Sequence, residues 1–139
     1  MVDPGRINVL LERLEEEVTL LEQAAKQPAG ELLGDANAIA AVTYRLVVAI
    51  EICIDVGEHV IASEGLRAPD SFAAVFDIPG EAGYLEPGLA ESLGEMAKFR
   101  NLLVHVYERV DDRRVIEILG TELEDFQAFR EQIAPSALK

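Results

Sequence analysis

"ANAIAAVTYRLVVAIEICIDVGEHVIAS", residues 36–63, is the stretch whose reading decides the fold. Wound at 3.6 residues per turn, its apolar side chains fall on most sides, and a helix of that kind is packed between others. Asp35 stands at the N-cap position, where a carboxylate accepts from the free amides of the first turn. Upstream, residues 6–26 read "RINVLLERLEEEVTLLEQAAK" and place Ile7, Leu10, Leu11, Leu14, Val18 and Leu21 at spacings of three and four. Glu12, Glu15, Glu16 and Glu22 lie on the other side. The pattern predicts an amphipathic helix opened by Asp3 and Pro4 and closed near Pro28, with a solvated acidic face.

Downstream, Gly65 and Pro69 stop the central helix, and Asp70 or Ser71 caps a short one ending before Pro79. Gly80, Gly83 and Gly88 read as turn residues, and a further helix runs from about Pro87 through residue 111. A last helix, roughly 112–133, is interrupted near "GTELED", where Thr121 and Glu124 have the spacing of a capping box. No strand-like alternation persists, and no repeat or low-complexity tract is visible. The expectation is one all-α domain over residues 1–139, an up-and-down bundle of four main helices plus a short extra one.

Half of the chain is hydrophobic, yet aromatics make up only 6% and Trp is absent, so the core must be built mainly from Leu, Ile, Val and Ala. A net charge of −14 argues against broad nucleic-acid binding, because the summed field repels polyanions. It leaves room for a local basic cleft: Lys98, Arg100, Arg109, Arg113 and Arg114 supply five of the twelve Lys and Arg. The single cysteine, Cys53, excludes an intrachain disulfide and reads as a buried, inert thiol. The N-terminal segment lacks the pattern of a signal peptide, and no apolar run reaches the roughly 18 residues of a membrane span. A cytoplasmic protein without membrane contact is expected.

Chemistry concentrates in "FRNLLVHVYERVD", residues 99–111. On a helix, Arg100 and Tyr107 lie nearly on one line and Asn101 and His105 on a neighbouring one. Arg100 and His105 diverge by roughly 140°. They converge only if the helix bends or ends there, or if a second subunit supplies the complement. Leu102, Leu103, Val104 and Val106 are expected to fill the core side. The plainer reading is a capped, solvated helix end, since Arg and His near a C-terminus complement the helix dipole.

The central helix offers Glu51, Asp55 and His59 at steps of four, with Glu58 beside them. The cluster reads as a metal site, as an exposed stripe, or as a polar line from which Asp55 or Glu51 contacts Arg100 or orients His105. The metal reading is weakened because the second histidine-bearing motif of di-iron bundles is missing. Tyr44 and Tyr84 suit packing or partner contacts. No phosphate loop, nucleophile elbow or zinc-finger spacing occurs.

"RNLLVHVY" resembles the Arg-x4-His-x-Tyr motif of HepT toxins in the HEPN ribonuclease superfamily, also described as the DUF86 family. The resemblance extends from about Tyr44 to Phe129, through "RLVVAIEICIDVGEHVIASEGLRAPDSFAAVF", "GYLEPGLAESLGEMAKFRNLLVHVYERVD" and "RVIEIL". It implies a HEPN-type bundle that dimerises, and a metal-independent endoribonuclease needing no cofactor. It implies the toxin role in a two-gene system whose antitoxin is a minimal nucleotidyltransferase, MNT. Carried over, Arg100 and His105 are catalytic, Asn101 is supporting, and Tyr107 is both a site residue and the target of AMP transfer. Homodimerisation lets two motifs line one cleft, where divergent groups meet across a two-fold axis. The rival reading is a noncatalytic helical subunit that lends a nucleotidyltransferase a substrate-binding surface, and the acidic charge favours it. A dimeric interaction module with a degenerate site is a third.

Overall fold

The computed structural model describes residues 4–106 and 110–139. It contains seven helices and, among the described residues, no strand: α1 (Pro4–Ala25), α2 (Ala29–Leu33), α3 (Ala36–Ser63), α4 (Ala74–Glu81), α5 (Pro87–His105), α6 (Asp112–Thr121) and α7 (Glu124–Ala137). The sequence reading places α1 and α3 within two residues of these bounds. The Asp35 carboxylate caps α3 as expected, accepting from the Asn37 and Ala38 amides at 3.1 Å each.

Helix α3 is the axis of the molecule and touches every other helix. Ile39, Leu46, Ile50, Cys53, Val56 and Val60 line one buried face of it, and Ile52 and Ile54, turned about 100° to either side of Cys53, are buried too, which is why it had to be apolar on most sides. Cross-links give the directions of the long helices. Glu17 of α1 meets Arg45 of α3, Arg100 of α5 meets Glu51 of α3, and Ser92 of α5 bonds Asp125 of α7. Tyr84, just before α5, bonds Glu64, just after α3. Neighbours therefore run antiparallel along α1, α3, α5 and α7. The core is aliphatic as expected, but its centre holds Phe76, Phe126 and Phe129, with Phe76 and Phe129 edge to face at 6.0 Å. Cys53 is buried, and burial pushes its thiol well above the usual range, so the inert reading holds.

Several expectations at element boundaries are corrected. The short helix does not end before Pro79: α4 continues to Glu81, with Pro79 buried inside it. A proline there removes only one helical bond, while the Ile78 and Pro79 carbonyls still accept from Ala82 and Tyr84. Ser71 rather than Asp70 serves the start, its Oγ accepting from the Ala74 amide. The interruption expected near "GTELED" does separate two helices, α6 and α7, but α7 runs past 133 through Pro135 because Ser136 and Ala137 are buried against the bundle. No capping box forms: Thr121 donates to the Glu117 carbonyl, and Leu123 is the N-cap of α7. The short α2 was not foreseen. Gly83 is a turn residue at φ 88, whereas Gly80 lies in α4, where a Cβ would meet that of Ala90 at 2.8 Å, and Gly88 belongs to α5. Asp3, the expected helix opener, lies outside the described residues. None of the helices, among the described residues, is long and apolar enough to cross a membrane.

Candidate functional site

Arg100 sits in the penultimate turn of α5, facing α3, and only 14% of its side chain is exposed. Three neighbours hold it. Its Nε forms an ion pair with Glu51 Oε1. Its Nη1 donates to Asn101 Oδ1 at 3.0 Å. Its guanidinium lies 5.2 Å from the centroid of the Phe72 ring, in the turn before α4. A planar fork fixed by a carboxylate, an amide and an aromatic face is oriented by its surroundings and retains donors for one more oxyanion.

The α3 face beyond Glu51 is acidic. Asp55 is held above its ordinary range by desolvation and by the Glu51 charge, which the Arg6 charge partly offsets. Glu58 is raised by desolvation, then by Asp55 and Glu51. Of the expected contacts from this helix, the structure thus brings Glu51 to Arg100 and leaves Asp55 on the same face. His59 does not join them. It is 4% exposed, turned into the core, with Nδ1 unpartnered among the described residues. A step of eight residues drifts about 80° around a helix, enough to carry the third residue off the polar line. No group of three His, Cys, Asp or Glu is gathered to hold a metal ion among the described residues.

His105 is the last residue of α5 and is exposed. Five residues separate it from Arg100, about 7.5 Å along the axis and roughly 140° around it. One chain does not bring the two together. Tyr107 and Arg109 lie outside the described residues. Of the side chains expected on the core side, Leu103 packs against it, whereas Leu102 is 45% and Val104 is 42% exposed. Residues packing on α3 occupy one face of α5, so neighbours a third of a turn away are turned out. Tyr44 is also exposed, whereas Tyr84 is tied to Glu64 at 2.9 Å.

The basic cluster is largely neutralised. Lys98 pairs with Glu95, and Arg100 with Glu51. Arg114 pairs with Glu117 and Glu122 while lying over Phe99. Phe72 is the neighbour of Arg100 that sequence reasoning missed, because no spacing links a turn residue to a helix end 28 positions away.

The long antiparallel helices form an all-α bundle with this polar corner between α3 and α5. The chain belongs to the ribonuclease HepT-like family, whose family model matches residues 14–133. It is 29% identical over 79 residues to the Shewanella oneidensis "mRNA nuclease HepT", a match covering 57% of this chain and 59% of the relative. The matched part is thus about three-fifths of that relative's length. The fold is similar to the tri-AMPylated Shewanella oneidensis HEPN toxin solved in complex with MNT antitoxin. There the TM-score is 0.86 and identity 23%, over 97% of this chain and 99% of that one. The cytosolic protein YutE from Bacillus subtilis is also similar, with TM-score 0.84 and 20% identity over 96% and 90% of the two chains.

Proposed function

We propose that the chain is the toxin of a HEPN/MNT pair, an endoribonuclease that cleaves RNA without a metal through Arg100 and His105 of two copies. The fixed guanidinium of Arg100 at the head of an exposed histidine's helix turn is the observation that carries this reading. Membership of the HepT-like family supports it. In the reaction, the ribose 2′-oxygen loses its proton and attacks the adjacent phosphorus. The new P–O2′ bond forms, the P–O5′ bond breaks, and the leaving 5′-oxygen gains a proton, giving a 2′,3′-cyclic phosphate end.

His105 moves those protons, a role suited to an imidazole near neutral pH and worth roughly 10²–10⁴ in rate. Arg100 holds the phosphate and stabilises its extra charge, so a metal is not required for that purpose. Asn101 and Glu51 position the guanidinium, and Asp55 keeps the negative face against which it is drawn. Within one chain Arg100 and His105 diverge, so the cleft needs a second copy. Leu102 and Val104, exposed on either side of Leu103 just before His105, are the apolar surface such a copy would cover.

Purified protein incubated with RNA in EDTA should cleave it and leave cyclic phosphate ends. Arg100→Ala and His105→Ala should each lower the rate by at least about a hundredfold. Full cleavage by either variant removes that residue from the mechanism, and no cleavage by the unaltered chain removes the nuclease. The partner in this reading is an MNT-type nucleotidyltransferase that transfers AMP to Tyr107. An adenylyl phosphate there competes for the arginine that RNA needs. Mass spectrometry after co-expression should find whole AMP increments on Tyr107; an unmodified tyrosine in a neutralised complex means inhibition by binding alone.

One observation favours the rival reading. The Arg100 charge is already met by Glu51, which suits a noncatalytic partner surface of a nucleotidyltransferase. That reading predicts an inert chain in the EDTA assay.

A further inference from the structure

Beside Arg100 lies a cleft of about 400 Å³, between the end of α3, the turn before α4 and the last turns of α5. Its size falls in the range of about 300–1,000 Å³ typical of small-ligand sites. The Phe72 ring and Val75 form its apolar lining, with Pro69 on one side. Glu58, Asp70 and Asn101 stand around it. An aromatic side chain and carboxylate acceptors thus line one cleft. Phosphate is disfavoured there, because Glu58 and Asp70 would meet it with like charge.

The polar groups are available. Asn101 uses its Oδ1 on Arg100, which leaves its amide N–H groups to donate. Glu58 has no hydrogen bond or ion pair among the described residues. Desolvation and the charges of Asp55 and Glu51 make its anionic form costly, so a neutral ligand bringing N–H donors relieves it. Arg100 contacts Phe72 directly, so a phosphate held by the guanidinium has its attached nucleoside within reach of the ring.

We infer that this cleft is the nucleobase subsite of the site proposed above. It stacks a base on Phe72 and selects guanine through the Glu58 carboxylate. Guanine alone among the four bases presents two adjacent donors, N1–H and the 2-amino group, on its pairing edge. A carboxylate accepts both side by side. Adenine and cytosine each place an acceptor beside their amino donor, and uracil flanks its one N–H with two carbonyls. Their acceptors would face the anion. Stacking on an aromatic ring combined with edge recognition is how proteins read unpaired RNA bases. The inference rests on the nuclease reading for its biological meaning, but the binding it predicts does not require cleavage.

The test uses the whole chain and four trinucleotides, UGU, UAU, UCU and UUU, fully 2′-O-methylated so that no attack can occur. Fluorescence anisotropy should show the guanine form binding about ten- to hundredfold more tightly than the others, the usual discrimination of a bidentate base contact. Glu58→Gln offers one acceptor and one donor and should shrink the preference to about twofold or less. Phe72→Leu should weaken all four while keeping their order. Equal binding of the four, no binding of any, or a preference untouched by Glu58→Gln overturns the subsite. Cleavage of unmethylated RNA is scored separately. Guanine-selective binding without cleavage sinks the nuclease and spares the subsite, and cleavage without selectivity does the reverse.

Discussion

At the scale of the residue, the Glu51–Arg100 pair decides how the site works. A carboxylate that merely competed for the guanidinium would oppose phosphate binding, but this one engages Nε, on the stem side of the fork. Asn101 takes Nη1, which leaves the outer donors for an oxyanion. In the proposed reaction this makes Glu51 a positioning residue. Glu51→Gln keeps an oxygen acceptor and should cleave within about threefold of the unaltered rate, whereas Glu51→Ala should lose about ten- to hundredfold, the worth of one charge-assisted hydrogen bond. Equal losses in the two variants would show that the charge, not the orientation, is needed. The contacts of Arg100 with Glu51 and Asn101 were legible in the sequence, because a motif on one helix and a polar line on an apolar helix stand out by type and spacing. Phe72 and Glu17 were not. Glu17 sits one position beyond a solvated acidic row, yet it is 3% exposed and bonded to Arg13 and Arg45. Only the approach of α3, 28 residues away, distinguishes it from its neighbours.

At the scale of the element, α3 carries two opposed demands, an apolar surface for six neighbours and an acidic face for Arg100. Gly57 shows how tightly the first is met, since a Cβ there would fall 2.6 Å from Val75 Cγ1. The sequence displayed the apolar demand plainly, and α1 and α3 were read nearly to the residue. Where local signals competed with packing they misled: Pro79 and Pro135 look like stops, yet both lie in helices whose flanking residues are buried. The acidic demand has a consequence in pH. Asp55 and Glu58 have raised folded-state pKa values, so the fold binds their protons more tightly than the unfolded chain does. Their contribution is full below the ordinary carboxylate values and is lost as pH rises through the raised ones. Glu64 has the opposite sign. Hydrogen bonds from Lys139 and then Tyr84 lower it, so its contribution is present above the ordinary value and lost as pH falls through the lowered one. The windows lie on opposite sides of the ordinary value. Melting temperature should therefore rise by about 1–3 °C as pH falls from neutral toward the ordinary carboxylate values, a small effect because solvent screens groups this exposed. Asp55→Asn should melt higher at neutral pH and flatten that slope. An unchanged slope would mean that the α3 face is solvated as in the unfolded chain.

At the scale of the whole molecule, the proposed function requires a chain of net charge −14 to bring in a polyanion, and its response to salt tests how. Most nucleic-acid-binding proteins spread many cations over the phosphates, and each contact adds about 0.7 to the salt slope on a single strand. Here Lys98 and Arg114 are committed to carboxylates of their own chain. Of the cluster's described cations, Arg100 stands beside the cleft and Arg113 carries no ion pair among the described residues, so two copies present about four phosphate contacts from these residues. RNA binding should then weaken by less than about a hundredfold between 50 and 200 mM salt, where six to ten contacts at the same slope would lose about 3 × 10²–2 × 10⁴. Over the same interval the melting temperature should rise, since salt screens self-repulsion between like charges more than a Debye length apart, about 10 Å at 0.1 M. Affinity measured by filter retention and melting followed by circular dichroism separate the two effects. A loss of a thousandfold in affinity would mean that cations now paired in the folded chain are released to RNA, and that capture of phosphate by Arg100 and Arg113 alone is wrong.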